Sequence, residues 1–153
     1  MMDEYARVVQ VSVEEVRPYR VEYLRRGTAS ENVVFAEDDL PGTRHLAVRG
    51  SDGRLVAISS WSHAESPDCP GEPAVQLRGM AVSPDHRRQG LGEVLIGAGL
   101  DVARQRGAAW VWANARDSAL AFYTSAGFEV CGDGFVTADT QLPHHRIRRA
   151  VNT

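Results

Sequence analysis

The strongest constraint on this chain is a change of texture near its middle. Gln76-Leu-Arg-Gly-Met-Ala-Val82 reads as an apolar strand, and Ser83-Pro84 ends it, since proline has no amide with which to continue a ladder. Past Gly92 the apolar residues Val94, Leu95, Ala98 and Val102 recur at helical spacing. The turn between strand and helix carries Arg87, Arg88, Gln89, Gly90, Leu91 and Gly92. Glycines allow main-chain amides to line a concavity without a Cβ in the way. The first amides of the helix have no intrahelical partner and sit at the positive end of its dipole. Two arginines beside them add charge and forked donors. Such a turn is built to take a phosphate or pyrophosphate.

Two familiar phosphate loops are excluded. A P-loop needs G-x-x-x-x-G-K-S/T, and all 17 basic residues here are arginine. A dinucleotide fingerprint needs a third glycine where this chain has Leu95. What fits is Arg87-Arg-Gln-Gly90-Leu-Gly92, which resembles the Q/R-x-x-G-x-G/A loop of the GNAT superfamily of N-acetyltransferases. In that superfamily the loop amides hold the pyrophosphate of acetyl coenzyme A.

At 153 residues the chain suits a single domain, 1–153, with one sizeable core. A hydrophobic content of 43% and a charged content of 24% are those of an ordinary globular protein, and a net charge of −3 gives no support to nucleic-acid binding. No apolar run approaches a membrane span and Met1-Met-Asp-Glu4 does not open a signal peptide, so the cytoplasm is the expected compartment. Cys69 and Cys131 lack metal-ligand spacing and read as two free thiols; no metal site is expected.

Along the chain, Tyr5 to Val11 reads as a first strand and Ser12-Val-Glu-Glu15 as a capping box. The helix that follows is expected to reach Arg25 or Arg26, with Val16, Tyr19, Tyr23 and Leu24 inward and Gly27 as its stop. Thr28 to Gly42 is a polar connection whose Glu31, Glu37, Asp38 and Asp39 read either as a solvated loop or as an acidic lip for a cationic acceptor. Thr43 to Arg49 and Arg54 to Trp61 flank an Asp52-Gly53 turn, a hairpin signal. Ser62 to Pro73 is a loop, and Ala74 to Val82 the strand already described. The glycine-studded helix ends near Arg106-Gly107. Ala108 to Ala113 is a short strand, Ser118 to Ala126 a helix closed by Gly127, and Phe128 to Gly132 and His144 to Val151 further strands. The alternation of strands and helices from Ala74 onward predicts a layered α/β (α+β) fold.

Ala119-Leu-Ala-Phe-Tyr-Thr-Ser-Ala-Gly-Phe128 resembles the A-x-x-F/L-Y-x-x-x-G-F helix of the same superfamily, and it follows the phosphate loop by about thirty residues, room for one helix and one strand. Asn114 matches a frequent asparagine at the preceding strand end. Outside Gln76–Phe128 the likeness is weaker and is similar to a branch of small bacterial GNAT proteins, many of unassigned substrate. The resemblance implies a mixed, mostly antiparallel sheet of six or seven strands with helices on both faces. It implies that the Met80 and Trp110 strands run parallel and splay apart around the pantetheine arm. Met80, Ala81 and Val82 would then bond that arm, Arg87, Arg88, Gln89, Gly90, Leu91 and Gly92 would grip the pyrophosphate, and Asn114 and Tyr123 would sit near the thioester. The reaction implied is acetyl transfer from acetyl-CoA to a primary amine of a small molecule or peptide, by direct attack in a ternary complex.

An alkylamine with a pKa of ~10.4 must lose a proton before it attacks, and the base is open among Glu72, Asp38, His45 and His144. Each has a structural alternative; for His144 the favoured one is a hydrogen bond within the sheet. Tyr123 is the expected proton donor to the leaving thiolate, against core packing beside Leu120 and Phe122. A non-catalytic acyl-CoA-binding module and a nucleotide-binding protein are the rival readings, and a homodimer is left open.

Overall fold

Seven strands form one sheet in the order β1-β2-β3-β4-β5-β7-β6. They are β1 Val8–Val11, β2 Arg44–Arg49, β3 Leu55–His63, β4 Ala74–Val82, β5 Trp110–Arg116, β6 Glu129–Val136 and β7 Pro143–Ala150. The helices are α1 Val13–Leu24, α2 Leu91–Gln105 and α3 Leu120–Ser125, with short 3₁₀ turns at Pro84–His86 and Asp117–Ala119. This computed structural model describes residues 8–28, 30 and 32–152; residues 5–7 of the expected first strand lie outside that range, as does Glu31.

Of the six neighbouring pairs only β4–β5 is parallel. The α2 helix makes the crossover between them, as a parallel pair requires. The sheet is therefore mixed and mostly antiparallel. One face is covered by α2 and α3, whose Leu95, Ile96, Leu100 and Tyr123 join Val75, Leu77, Val111 and Ile147 in the main core. The other face is covered by α1, with Val16 packed on Ala47, Leu55 and Ile58. Gly99 allows α2 to lie against Trp61; a Cβ there would overlap the indole.

Several boundaries differ from the sequence expectation. Helix α1 stops at Leu24 and its N-cap is Ser12, whose Oγ accepts the Glu15 amide at 3.2 Å. The carboxylate of Glu15 is taken by Arg49 at 2.6 Å instead of reaching back to the cap, so half of the expected capping box forms. Pro18 is accommodated in the second turn of this helix. Arg20 was not expected inside, yet it is fully buried. Strand β5 is shifted toward Arg116, and β6 runs on to Val136. The misplaced end of β5 pairs with β7 at long range, Arg116 opposite His144, whereas the end of β6 pairs locally, Val136 opposite Pro143. The two cysteines are free, Cys69 buried and Cys131 partly so.

Candidate active site

The parallel pair does not stay together. Ala74, Val75 and Gln76 lie in register with Trp110, Val111 and Trp112, and beyond them the two strands have no partners in one another. A bulge helps to separate them: Ile58 and Ser60 of β3 face Ala81 and Arg78 of β4, so two residues, Gly79 and Met80, stand where the partner has one. Gly79 has φ +60, a conformation that favours glycine, and a Cβ there would come within 3.0 Å of the Phe35 ring. The gap between the strands opens into a cleft of about 610 Å³. Its walls include Met80, Ala81, Val82, Arg87, Asn114, Tyr123 and His144.

At one mouth lies the glycine turn. Arg88 has φ 64 and Gly90 φ 79, and Gly90 is followed directly by the first helical residue of α2. A left-handed residue joined to a right-handed one curls successive amides toward one side, the geometry that receives an anion. Gly90 caps α2 without any side-chain bond to the orphan amides, which leaves those amides for a ligand. Arg87, Arg88 and Gln89 are exposed around them. This is a fit for a pyrophosphate on observed grounds. Leu91 is buried, so only its main chain can take part. Gly92 has a further reason to be glycine beside the one its motif implies: a Cβ there would stand 2.7 Å from Cζ of Phe122. It is a packing glycine between α2 and α3.

Tyr123 lies on α3 at the back of the cleft, 8% exposed, between Phe122 and Phe128, whose rings meet it edge-on at 5.1 and 5.5 Å. Burial pushes its phenol well above the ordinary tyrosine range, so the hydroxyl stays protonated. Among the described residues it has no protein acceptor, which leaves that proton available to a ligand.

The four candidate bases separate. Asp38 is buried and accepts Arg20 through both oxygens at 2.8 and 2.9 Å, and the Phe35 amide at 2.9 Å. Burial alone would raise its pKa, but the bonds from Arg20 and Phe35 outweigh it and hold the carboxyl below its usual range. His45 is buried beside the same network, with Nδ1 2.7 Å from Ser60 Oγ; burial and then Arg20 push its pKa down. Glu72 sits in a separate shallow pocket with His63 and Glu65. Only His144 lines the cleft. Its Nδ1 is 2.8 Å from the Leu142 carbonyl, which can only accept, so Nδ1 carries a hydrogen and in the neutral tautomer the lone pair is on Nε2. The ring stacks on Phe135 at 5.9 Å.

The second mouth is cationic. Arg78, Arg25 and Arg116 line it with Phe35, Tyr23 and the turn from Thr137 to Thr140. Glu37 is held by Arg78 at 2.6 Å and Asp38 by Arg20. Of the acids read either as a solvated loop or as an acidic lip, Glu37 and Asp38 are thus neutralised by arginines that lie far from them in sequence.

The family model for the acetyltransferase (GNAT) family matches residues 9–128. The fold and that match define the class of the molecule: the chain belongs to the GNAT acetyltransferase family. It is 33% identical to an uncharacterized N-acetyltransferase, YitI, of Bacillus subtilis (strain 168), over 84% of this chain and 85% of that one. A streptothricin acetyltransferase of Streptomyces lavendulae is 30% identical over 63% of this chain and 50% of its own length. In fold, an aminoglycoside 6′-N-acetyltransferase complexed with coenzyme A superposes with a TM-score of 0.71 over 96% of this chain and 98% of that one, at 12% identity.

Proposed function

We propose that the chain transfers an acetyl group from acetyl-CoA to a primary amine by direct attack within a ternary complex. The observation that carries this is the splayed β4–β5 cleft with a protonated, unpartnered Tyr123 hydroxyl in its wall and an anion-receiving turn at one mouth. Acetyl-CoA, when bound, supplies the acyl group in activated form as a thioester.

The amides of the Gly90–Gly92 turn, with Arg87 and Arg88, hold the pyrophosphate. Main-chain groups of Met80, Ala81 and Val82, on the edge of β4 that the splay from β5 leaves open, bond the pantetheine arm and stabilise the oxyanion. Asn114 orients the same arm from the opposing strand. His144 Nε2 takes the proton that the attacking amine must lose, and its Nδ1–H bond to Leu142 fixes the tautomer that makes this feasible. Tyr123 gives its proton to the departing thiolate.

The test is Tyr123→Phe. It keeps the edge-on packing with Phe122 and Phe128 and removes only the donor. Since a thiolate of pKa ~8.5 leaves adequately on its own, kcat should fall by roughly ten- to a thousand-fold, with KM for acetyl-CoA nearly unchanged. Full turnover in the folded variant would remove Tyr123 from the reaction. Tight CoA binding without thiol release over any amine would instead favour a binding module.

A further inference from the structure

The charges at the second mouth do not balance. The cleft is lined by four arginines, Arg25, Arg78, Arg87 and Arg116, and one carboxylate, Asp139. Arg78 is neutralised by Glu37. Asp139 is already engaged: Ser30 Oγ donates to one oxygen at 2.5 Å, and Arg25 stands 3.7 Å from the other. Arg116 forms no ion pair with any carboxylate among the described residues; one of its nitrogens donates to the Leu24 carbonyl at 2.7 Å, at the end of α1. Nearby, the Nε of fully buried Arg20 has no acceptor, 3.5 Å from where a Cβ of Gly79 would lie. Burial pushes the pKa of Arg25 and of Arg116 down; for Arg25 the Asp139 charge opposes this, and Arg116, Arg20 and Arg78 add to it.

A half-buried guanidinium without a counter-ion is costly, and it invites a ligand that supplies one. That ligand is not the coenzyme's phosphate. Successive residues of β5 point to opposite faces: Ala113 and Ala115 enter the core under α2, and Arg116 extends to α1 on the other side of the sheet. The phosphate-receiving turn begins α2, on the far face. Among the described residues that line the cleft no free carboxylate is left to hold a second ammonium group, so there a polyamine meets three arginines and an occupied Asp139.

Building on the acyltransfer reading above, the geometry points to an acceptor of the amino-acid class: an amine that carries its own carboxylate, held by Arg116 and Arg25 while the amino nitrogen is directed at the thioester. A planar guanidinium fork matches a carboxylate with two parallel bonds, and an amine of this kind meets a base in His144, opposite Arg116 across the β5–β7 ladder. Acetylation forms the amide C–N bond, breaks the C–S bond, and releases free thiol and an N-acetylated acid, with the amine's proton taken up by the protein.

The experiment pairs each common amino acid with its own carboxamide, and adds putrescine and spermidine, in a thiol-release assay with acetyl-CoA. The acids should exceed their amides in kcat/KM by roughly 10- to 100-fold, the size of a charge-assisted hydrogen bond, and the polyamines should be the poorest acceptors. Arg116→Gln should bring the acid-to-amide ratio close to one with little change in CoA affinity, and Arg116→Lys should restore part of it. A parallel arm measures, by calorimetry on CoA-loaded protein, binding of N-acetyl amino acids against the matching N-acetyl carboxamides. Turnover with equal rates for acids and amides, or with polyamines preferred, overturns this inference and leaves the acyltransferase reading intact. Preferential binding of the N-acetyl acids without turnover of any amine keeps the inference and overturns catalysis. Equal binding of acids and amides without turnover overturns both.

Discussion

The two mouths of the cleft are made of different material. The turn from Arg87 to Gly92 presents main-chain amides, shaped by left-handed residues at 88 and 90 and by the start of a helix. The mouth at the end of α1 presents side-chain charge, with Arg20, Arg78 and Arg116 each tied to a residue far away in the chain. A site of main chain is specified locally and tolerates most side-chain change except at its glycines. A site of paired side chains is specified by tertiary contacts and can be respecified by exchanging one arginine. The chain thus keeps one mouth fixed and the other adjustable, which suits a common coenzyme and a variable acceptor.

The largest effect should come from breaking the arginine mouth at its root. Asp38→Asn removes the charge that holds both Nη atoms of Arg20 and leaves a fully buried cation uncompensated. A loss of about 3–5 kcal/mol is expected, read as a fall in thermal midpoint and in chemical-denaturation stability. Under conditions where the variant is still folded, CoA affinity should be nearly that of the wild type. A parallel loss of CoA affinity would show that the two mouths are one cooperative structure.

The complementary test separates the two glycines of the turn. Gly90→Val forces a β-branched residue to φ 79, where its Cβ meets nothing closer than Glu93 at 3.9 Å. Strain of about 1–3 kcal/mol falls on the turn itself, so CoA binding should weaken by roughly tenfold to a hundredfold or more with the fold retained. Gly92→Ala should do the opposite. Its Cβ drives into Phe122, so stability should drop by about 1–3 kcal/mol from overpacking, and CoA binding should change less. Calorimetric titration beside a melting curve distinguishes the two; identical behaviour of both variants would contradict the assignment of Gly92 to packing.

How much of this was legible beforehand follows the same division. The glycine turn, the crossover helix and the Tyr123 helix could be read because their cues lie within a few residues: proline after a strand, glycine at φ > 0, apolar residues at helical period. Arg20–Asp38, Arg78–Glu37 and Arg116–Leu24 are 18, 41 and 92 residues apart, and no local pattern announces them. Neither alternative, solvated loop or acidic lip, described Asp38 and Glu37 for that reason, since composition counts the acids but not the arginines that fold onto them. The packing demand on Gly92 was not legible for the same reason, because Phe122 meets it only across two packed helices. For His144 the hydrogen bond expected within the sheet is made instead to the carbonyl of Leu142, just before β7, and in the neutral ring that bond leaves Nε2 with a lone pair in the cleft wall. A histidine flanked by Leu142-Pro143 on a strand carries no signal of that double role.

The smallest effect concerns pH and again divides the mouths. His45 is buried against Ser60, which also accepts a bond from Arg20 Nη2 at 2.9 Å, and the groups facing it are Arg20, Asp38 and Arg17. Its folded pKa is lowered, first by burial and then by the Arg20 charge, with Asp38 opposing. The folded state therefore favours neutral imidazole, whereas the unfolded chain protonates near its ordinary pKa of ~6.5. The unfolded state binds more protons between the two pKa values, so stability should be full above ~6.5 and decline as the pH falls, levelling once the folded pKa is passed. Asp38 adds a second decline at lower pH with the same sign, since its folded pKa is also depressed and its stabilisation is lost as the carboxylate protonates. His45→Asn should flatten the first decline and leave the second. The measurement is the thermal midpoint of wild type and variant at half-unit steps from pH 8 downward. Superimposable curves would mean that the proton on His45 is not coupled to the arginine mouth.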